Sequence, residues 1–333
     1  MELSNLSKSV FRCKSGFSIP AVGLGTYKLN GVSGVSAMKH AIKTGYKLLD
    51  TAFIYKNETE VGQAIAESVE EGVLKSREDI FVTSKLHSGF HKPSKILPAI
   101  RHSLNLMNSE YIDLYIIHAP WGMKPTEAES GADFPFTTAT DETGNDIFDD
   151  YELVDVWAQL EKAVDEGLVR HIGLSNFDDD QVRLILSNCR IKPVNNQIEL
   201  HPWLDQPDSV QFLLDNDISV TSFMSLGRIE RTLDSKGKTL VDEAIVLEIA
   251  KNHGKSPAQV LLRYQLQRGV LVIPKSATPS RIEENANIFD FSLSENDVLE
   301  ISKLNKPLRS CHFKDRRPSK NFPKLWLSEP VYQ

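Results

Sequence analysis

Four polar side chains stand at or just beyond the ends of three consecutive apolar runs. YKLLDTAFIY (46–55) carries Asp50 and, just past the run, Tyr55. IFVTSK (80–85) ends at Lys85, and DLYIIH (113–118) ends at His118. If these runs are neighbouring parallel strands, an acid, a phenol, an amine and an imidazole converge on one rim. Those four groups together can move protons. Each alone has a plainer explanation. Asp50 could cap a turn, Tyr55 could pack in a core, Lys85 could be solvated, and His118 could be a satisfied core histidine. Their joint placement at successive strand ends favours a proton-transfer site.

The elements that must position them repeat along the chain. Short β-branched runs alternate with longer segments of helical period. The strand candidates are 21–27, 46–52, 80–86, 114–120, 170–176, 194–200, 219–226 and 270–276. The helix candidates are 35–45, 58–72, 93–107, 151–167, 179–188, 206–216, 240–254, 256–269 and 279–286. Gly45 and Gly72 are ordinary helix stops, and Pro93 an ordinary start. Residues 9–20 read as a β-hairpin turning at Ser15-Gly16, with a frayed terminus as the alternative. Eight βα units in series, with no composition break, favour one (β/α)8 TIM barrel domain over 1–333. A dinucleotide-binding sheet of the doubly wound kind loses support, because Gly23 and Gly25 are not followed by the third glycine of GxGxxG. In such a barrel catalytic groups belong at the carboxyl ends of strands. That rule selects Asp50, Lys85 and His118, and adds Asn176, Gln197 and Lys275 from later strands.

The connection after the fourth strand, 121–150, is long and holds eight acidic residues and one lysine. It reads as a solvated loop or as a flap over the rim that carries His118.

Composition excludes several function classes. The net charge of −7 argues against sequence-independent nucleic-acid binding, which needs a basic face. Cys13, Cys189 and Cys311 are odd in number and lack CxxC spacing, so neither a disulfide framework nor a zinc site is expected. The start of the chain lacks the apolar core of a signal peptide, and no apolar run approaches a membrane span. The expectation is a cytoplasmic protein in a reducing compartment.

Seven ordered motifs resemble the aldo-keto reductases over nearly the whole chain. They are LGTY (24–27), LLDTAFIYKNETEVGQAI (48–65), FVTSKL (81–86), DLYIIHAP (113–120), HIGLSNF (171–177), NNQIELHP (195–202) and IPKSATPSRIEEN (273–285). One alone is weak, whereas seven in order with matching spacing are specific. The resemblance implies a (β/α)8 barrel, usually monomeric, that reduces aldehydes and ketones with NADPH.

It also implies roles for individual residues. Tyr55 would give the proton, Lys85 would lower its pKa from the ordinary value of about 10, Asp50 would hold Lys85, and His118 would orient the carbonyl. Ser175, Asn176 and Gln197 would hold the nicotinamide carboxamide, with Gly25, Thr26, Tyr27 and Asp50 alongside. Phe223 would stack on the ring where tyrosine is more usual, and stacking needs only a ring face. Met224 and Ser225 replace a usual Ser-Pro, while Leu226 remains a backbone contact. Lys275, Ser276, Thr278 and Arg281 would take a 2′-phosphate at a helix start, favouring NADPH over NADH. Glu284 and Asn285 resemble an adenine-binding pair.

The substrate pocket departs from the aldose-reductase-like pattern. Tyr27, His87 and Ala119 stand where tryptophans are common. The loss of bulk implies a wider pocket, suited to ketosteroids or long-chain carbonyls, or filling by another group such as Trp121. The substrate-contacting set is then Tyr27, Tyr55, His87, His118 and Trp121. The resemblance implies that a tail after Leu304, with Cys311, His312, Phe313, Leu325 and Trp326, closes over the substrate, with plain packing on the barrel as the alternative. Two other readings stay open: a cofactor-binding regulatory or structural protein on the same fold, and another barrel enzyme such as a phosphate-ester isomerase.

Overall fold

The computed structural model describes residues 5–14, 16–126, 137–227, 237–306 and Arg309. Eight parallel strands form one curled sheet. They are β3 (Leu24–Gly25), β4 (Leu48–Asp50), β5 (Phe81–Leu86), β6 (Ile112–Ile117), β7 (Val169–Ser175), β8 (Asn195–Glu199), β9 (Ser219–Phe223) and β10 (Val270–Val272). Each pairs with its neighbour in sequence order. The first and last also meet. Gly23 N–H donates to Val272 O at 2.9 Å and Val272 N–H donates to Ala21 O at 3.0 Å, which closes the barrel. Glycine is required at this seam: a Cβ on Gly25 would lie 2.7 Å from Ile273 O.

Strand alternation sorts the side chains between two environments. On β6, Leu114 and Ile116 pack in the barrel interior, while Tyr115 and Ile117 join the layer between sheet and helices. The hairpin of β1 (Val10–Arg12) and β2 (Ser18–Pro20) is antiparallel. Its Cys13, Phe17 and Ile19 pack on Leu48, Leu114 and Leu271, near the amino ends of the barrel strands, and stop that end. The carboxyl ends are left as the rim.

The helices around the sheet are α1 (Gly31–Thr44), α2 (Glu58–Glu70), α3 (Pro93–Met107), α4 (Leu153–Asp165), α5 (Asp179–Asn188), α6 (Pro207–Asp215), α7 (Ala244–His253), α8 (Pro257–Gln267), α9 (Pro279–Ala286) and α10 (Glu295–Ser302). Three depart from the sequence reading. α1 begins four residues early, because Gly31 N–H donates to Glu60 Oε1 of α2 at 2.9 Å. The expected helix 240–254 is split at Glu243, whose ψ of 129° is extended. α10, which the periodicity did not single out, opens with a reciprocal cap between Ser294 and Asp297.

The acidic connection is not simply solvated. Met123 bridges Phe148, Pro125 bridges Thr138 and Thr140 bridges Asp146, all antiparallel. Met123 N–H donates to Ser88 O at 3.0 Å, and Gly122 N–H donates to Asp150 Oδ1 at 2.9 Å. Its two ends pair with each other, and the first is tied to the turn that follows β5. Residues 127–136 and the proposed closing tail lie outside the described residues, Asn305, Lys306 and Arg309 excepted.

Candidate active site

The site is built from the ends of β4, β5, β6, β7 and β8. Asp50 closes β4, and Lys85 comes from the adjacent β5. Lys85 Nζ donates to Asp50 Oδ1 at 2.5 Å and to Thr51 O at 2.7 Å. Asp50 Oδ2 accepts from Gln197 Nε2 of β8 at 2.7 Å. Both carboxylate oxygens are thus held, and the pair is fully buried. Burial pulls the Lys85 ammonium below its usual range, opposed first by Asp50 and then by Glu58.

Tyr55 ends the tight turn Phe53–Tyr55 that follows β4. Lys85 Nζ stands 4.9 Å from the centre of its ring. The rings of His118 and Tyr27 meet it edge-on at 5.8 and 5.1 Å. All four residues predicted to do chemistry are brought together. Tyr27 remains half-exposed at the rim.

His118 lies one residue past β6, and its carbonyl accepts from Asn176 Nδ2 at 2.9 Å. Asn176 is held in the left-handed region at φ 61°, which turns its amide back over the strand ends. Its Oδ1 is buried without a hydrogen-bond partner. A buried orphan acceptor of this kind fits a ligand amide N–H. Ser175 Oγ donates to Gln197 O at 2.8 Å, so β7 and β8 are tied at the same level. Phe223 ends β9 opposite Glu199, and Leu226 is half-buried just beyond.

The segment after β10 is the second half of the predicted cofactor site. Ser276 Oγ accepts from Thr278 N–H at 3.0 Å. Pro279 starts α9, no side chain caps its first turn, and Lys275 and Arg281 are exposed beside it. An uncapped helix start between two cations suits a phosphate. Glu284 accepts from Ser256 Oγ, and Asn285 is buried.

Several predicted residues spend their polar atoms on the protein. Thr26 N–H and Oγ1 both donate to Asp50 O at 2.9 Å, and the side chain is fully buried. The amide nitrogen of Gln197 is committed to Asp50, leaving Oε1 as the atom that would meet a carboxamide. His87 Nδ1 accepts from Gly89 N–H, and its ring packs on Phe53 and Phe90. Trp121 is only 1% exposed and packs with Ala119, Met123 and Phe148, so it fills space beside the small Ala119.

Sequence reasoning missed Asn57. Its Nδ2 donates to Thr26 O at 2.7 Å and Leu29 O at 3.0 Å, and its Oδ1 accepts from Thr51 Oγ1 at 2.8 Å. It locks the turn bearing Tyr55 to the loop bearing Tyr27. Its place directly after the Tyr55 turn was the available signal.

The family model for the aldo/keto reductase family matches residues 21–306. The chain belongs to that family. This aldo-keto reductase is 40% identical over 305 residues to an NADH-dependent D-xylose reductase of Candida parapsilosis, covering 90% of this chain and 93% of that one. It is 40% identical over 309 residues to prostaglandin F synthase 1 of Bos taurus, covering 91% and 93%. The aldose reductase structure from Schistosoma japonicum superposes with a TM-score of 0.84 at 39% identity, covering 95% of this chain and 98% of that one. Membership places the aldo-keto reductase among oxidoreductases on a (β/α)8 barrel.

Proposed function

We propose that this protein reduces aldehydes and ketones to alcohols with NADPH, and that Tyr55 delivers the proton. The observation that carries the reading is the buried Asp50–Lys85 pair with the ammonium 4.9 Å from the Tyr55 ring. A positive charge at that distance stabilises the phenolate left when Tyr55 gives up its proton. Asp50, anchored by Gln197, keeps Lys85 aimed at the phenol. His118, at the edge of the same ring, donates a hydrogen bond to the carbonyl oxygen and orients it. Bound NADPH supplies the hydride, which no side chain can.

Ser175, Asn176 and Gln197 hold the carboxamide, the orphan Asn176 Oδ1 taking its N–H. Phe223 offers a ring face. Gly25, Thr26 and Tyr27 shape the opposite wall, and Leu226 follows. Ser276, Thr278, Lys275 and Arg281 take the 2′-phosphate, and Glu284 and Asn285 face the adenine. One relative is named for NADH, so family membership alone does not choose the cofactor, and the exposed Lys275 and Arg281 are what supports NADPH here.

On the substrate side we propose room for bulky carbonyls at the half-exposed Tyr27, with the buried His87 and Trp121 forming the floor and Trp121 taking up part of the space that Ala119 leaves. A panel of a small aldehyde and a 3-ketosteroid, each run with NADPH and with NADH, tests both choices. The expected result is faster turnover with NADPH and a kcat/KM for the ketosteroid at least equal to that of the small aldehyde. A strong preference for the small aldehyde would sink the bulky-substrate reading. NADPH binding without turnover of any carbonyl would favour a cofactor-binding protein on the same fold.

A further inference from the structure

A second carboxyl group is buried on the outer face of the barrel wall, behind Lys85. Glu58 is the first residue of α2 and is 2% exposed. Ser84 and Tyr115 are register partners on β5 and β6. Alternation turns both away from the interior that Lys85 enters. The Ser84 hydroxyl donates to Glu58 Oε1 at 2.5 Å. Glu58 Oε2 and the Tyr115 hydroxyl are buried beside the Ser103 hydroxyl of α3, which faces both of them. A carboxylate at this place would be met only by neutral hydroxyl donors, with no cation in ion-pair contact among the described residues. A neutral acid there can donate to a neighbouring hydroxyl.

The groups facing Glu58 are few. On β5 they are Ser84 and the Lys85 ammonium, on β6 the Tyr115 phenol, and on α3 Ser103. From α1, Lys39 is engaged with Glu67 and Glu71 further along α2. Burial pushes the Glu58 carboxyl up to about 7, with the two serine hydroxyls and Lys85 pulling it down.

We propose that Glu58 is a positioning residue for the proton transfer: neutral or ionised, its carboxyl group sets the net charge that Tyr55 meets through Lys85. When Glu58 is neutral, Asp50 alone balances the ammonium. When it is ionised, a second carboxylate does, and Lys85 has less positive potential to lend the phenolate. The sign follows from the raised value. The folded chain keeps the Glu58 proton through the acid range and releases it near neutrality, so the second charge is present only on the alkaline side.

The inference rests on Tyr55 as the proton donor, and its test has one arm that needs no turnover. In the first arm, kcat/KM for 4-nitrobenzaldehyde with NADPH is followed against pH for the wild type and Glu58→Gln. The wild type should show an inflection near neutrality that Glu58→Gln lacks, so that their ratio changes several-fold across it. The KM for cofactor should move no more than about twofold, since Glu58 lies outside the rim. A ratio constant across the range overturns the inference even if reduction itself is robust. In the second arm, infrared spectroscopy follows the carbonyl band of a protonated carboxylic acid in the full chain. That band should persist well above the ordinary glutamate range and be lost near neutrality. Loss of every such band by about pH 5, within the ordinary carboxylate range, overturns the inference even if Glu58→Gln does not fold.

Discussion

Tyr55→Phe should lower the turnover of 4-nitrobenzaldehyde with NADPH by about 10²–10⁴-fold, the usual contribution of a positioned acid. The ring is retained, so its edge contacts with Tyr27 and His118 and the Lys85 ammonium near its face persist. Only the hydroxyl is lost. Cofactor affinity, read by fluorescence titration, should stay within about twofold, because the groups proposed to hold the cofactor, including the neighbouring Asp50 and Tyr27, are all retained and keep their ring and ion-pair contacts. The loss should appear in kcat, since the proton is needed in the transition state and not for binding. A variant that keeps more than about a tenth of wild-type turnover would assign the proton to another group.

Lys85→Met should damage both stability and activity. It leaves Asp50 buried with one oxygen still held by Gln197 and the other facing an apolar side chain. Breaking a buried pair by removing one partner costs about 3–5 kcal/mol, most of it the stranded charge. Urea unfolding measures that loss directly. The double variant Lys85→Met/Asp50→Asn removes the charge as well and should recover much of the stability. It should recover none of the turnover, because Tyr55 then faces no ammonium. Recovery of turnover in the double variant would mean that Lys85 acts only as a structural group.

The barrel and the rim were legible in the sequence because they depend on local pattern. Each of the eight strands falls on, or within two residues of, an apolar run singled out in advance. Asp50, Lys85 and His118 lie at or within one residue of strand ends. What was hidden depends on partners distant in sequence. The start of α1 is fixed by Glu60, which no helical period near residue 31 reports. The acidic connection looked solvated because its apolar residues are sparse, yet Met123 and Phe148 meet across it. Gln197 was read as a cofactor contact, and its hold on Asp50 spans 147 positions of sequence. Glu58 sat unmarked inside a recognised motif because nothing local distinguishes a buried carboxyl from the acidic first turn of a surface helix.

The most direct measurement of the central claim is isotopic. NADPH carrying deuterium at both C4 positions is incubated with the protein and 4-nitrobenzaldehyde, and the alcohol is weighed by mass spectrometry. The account predicts one deuterium per molecule of alcohol, bonded to the former carbonyl carbon, and an unlabelled hydroxyl after exchange with water. Alcohol formed without deuterium, or oxidised cofactor formed without alcohol, would contradict it.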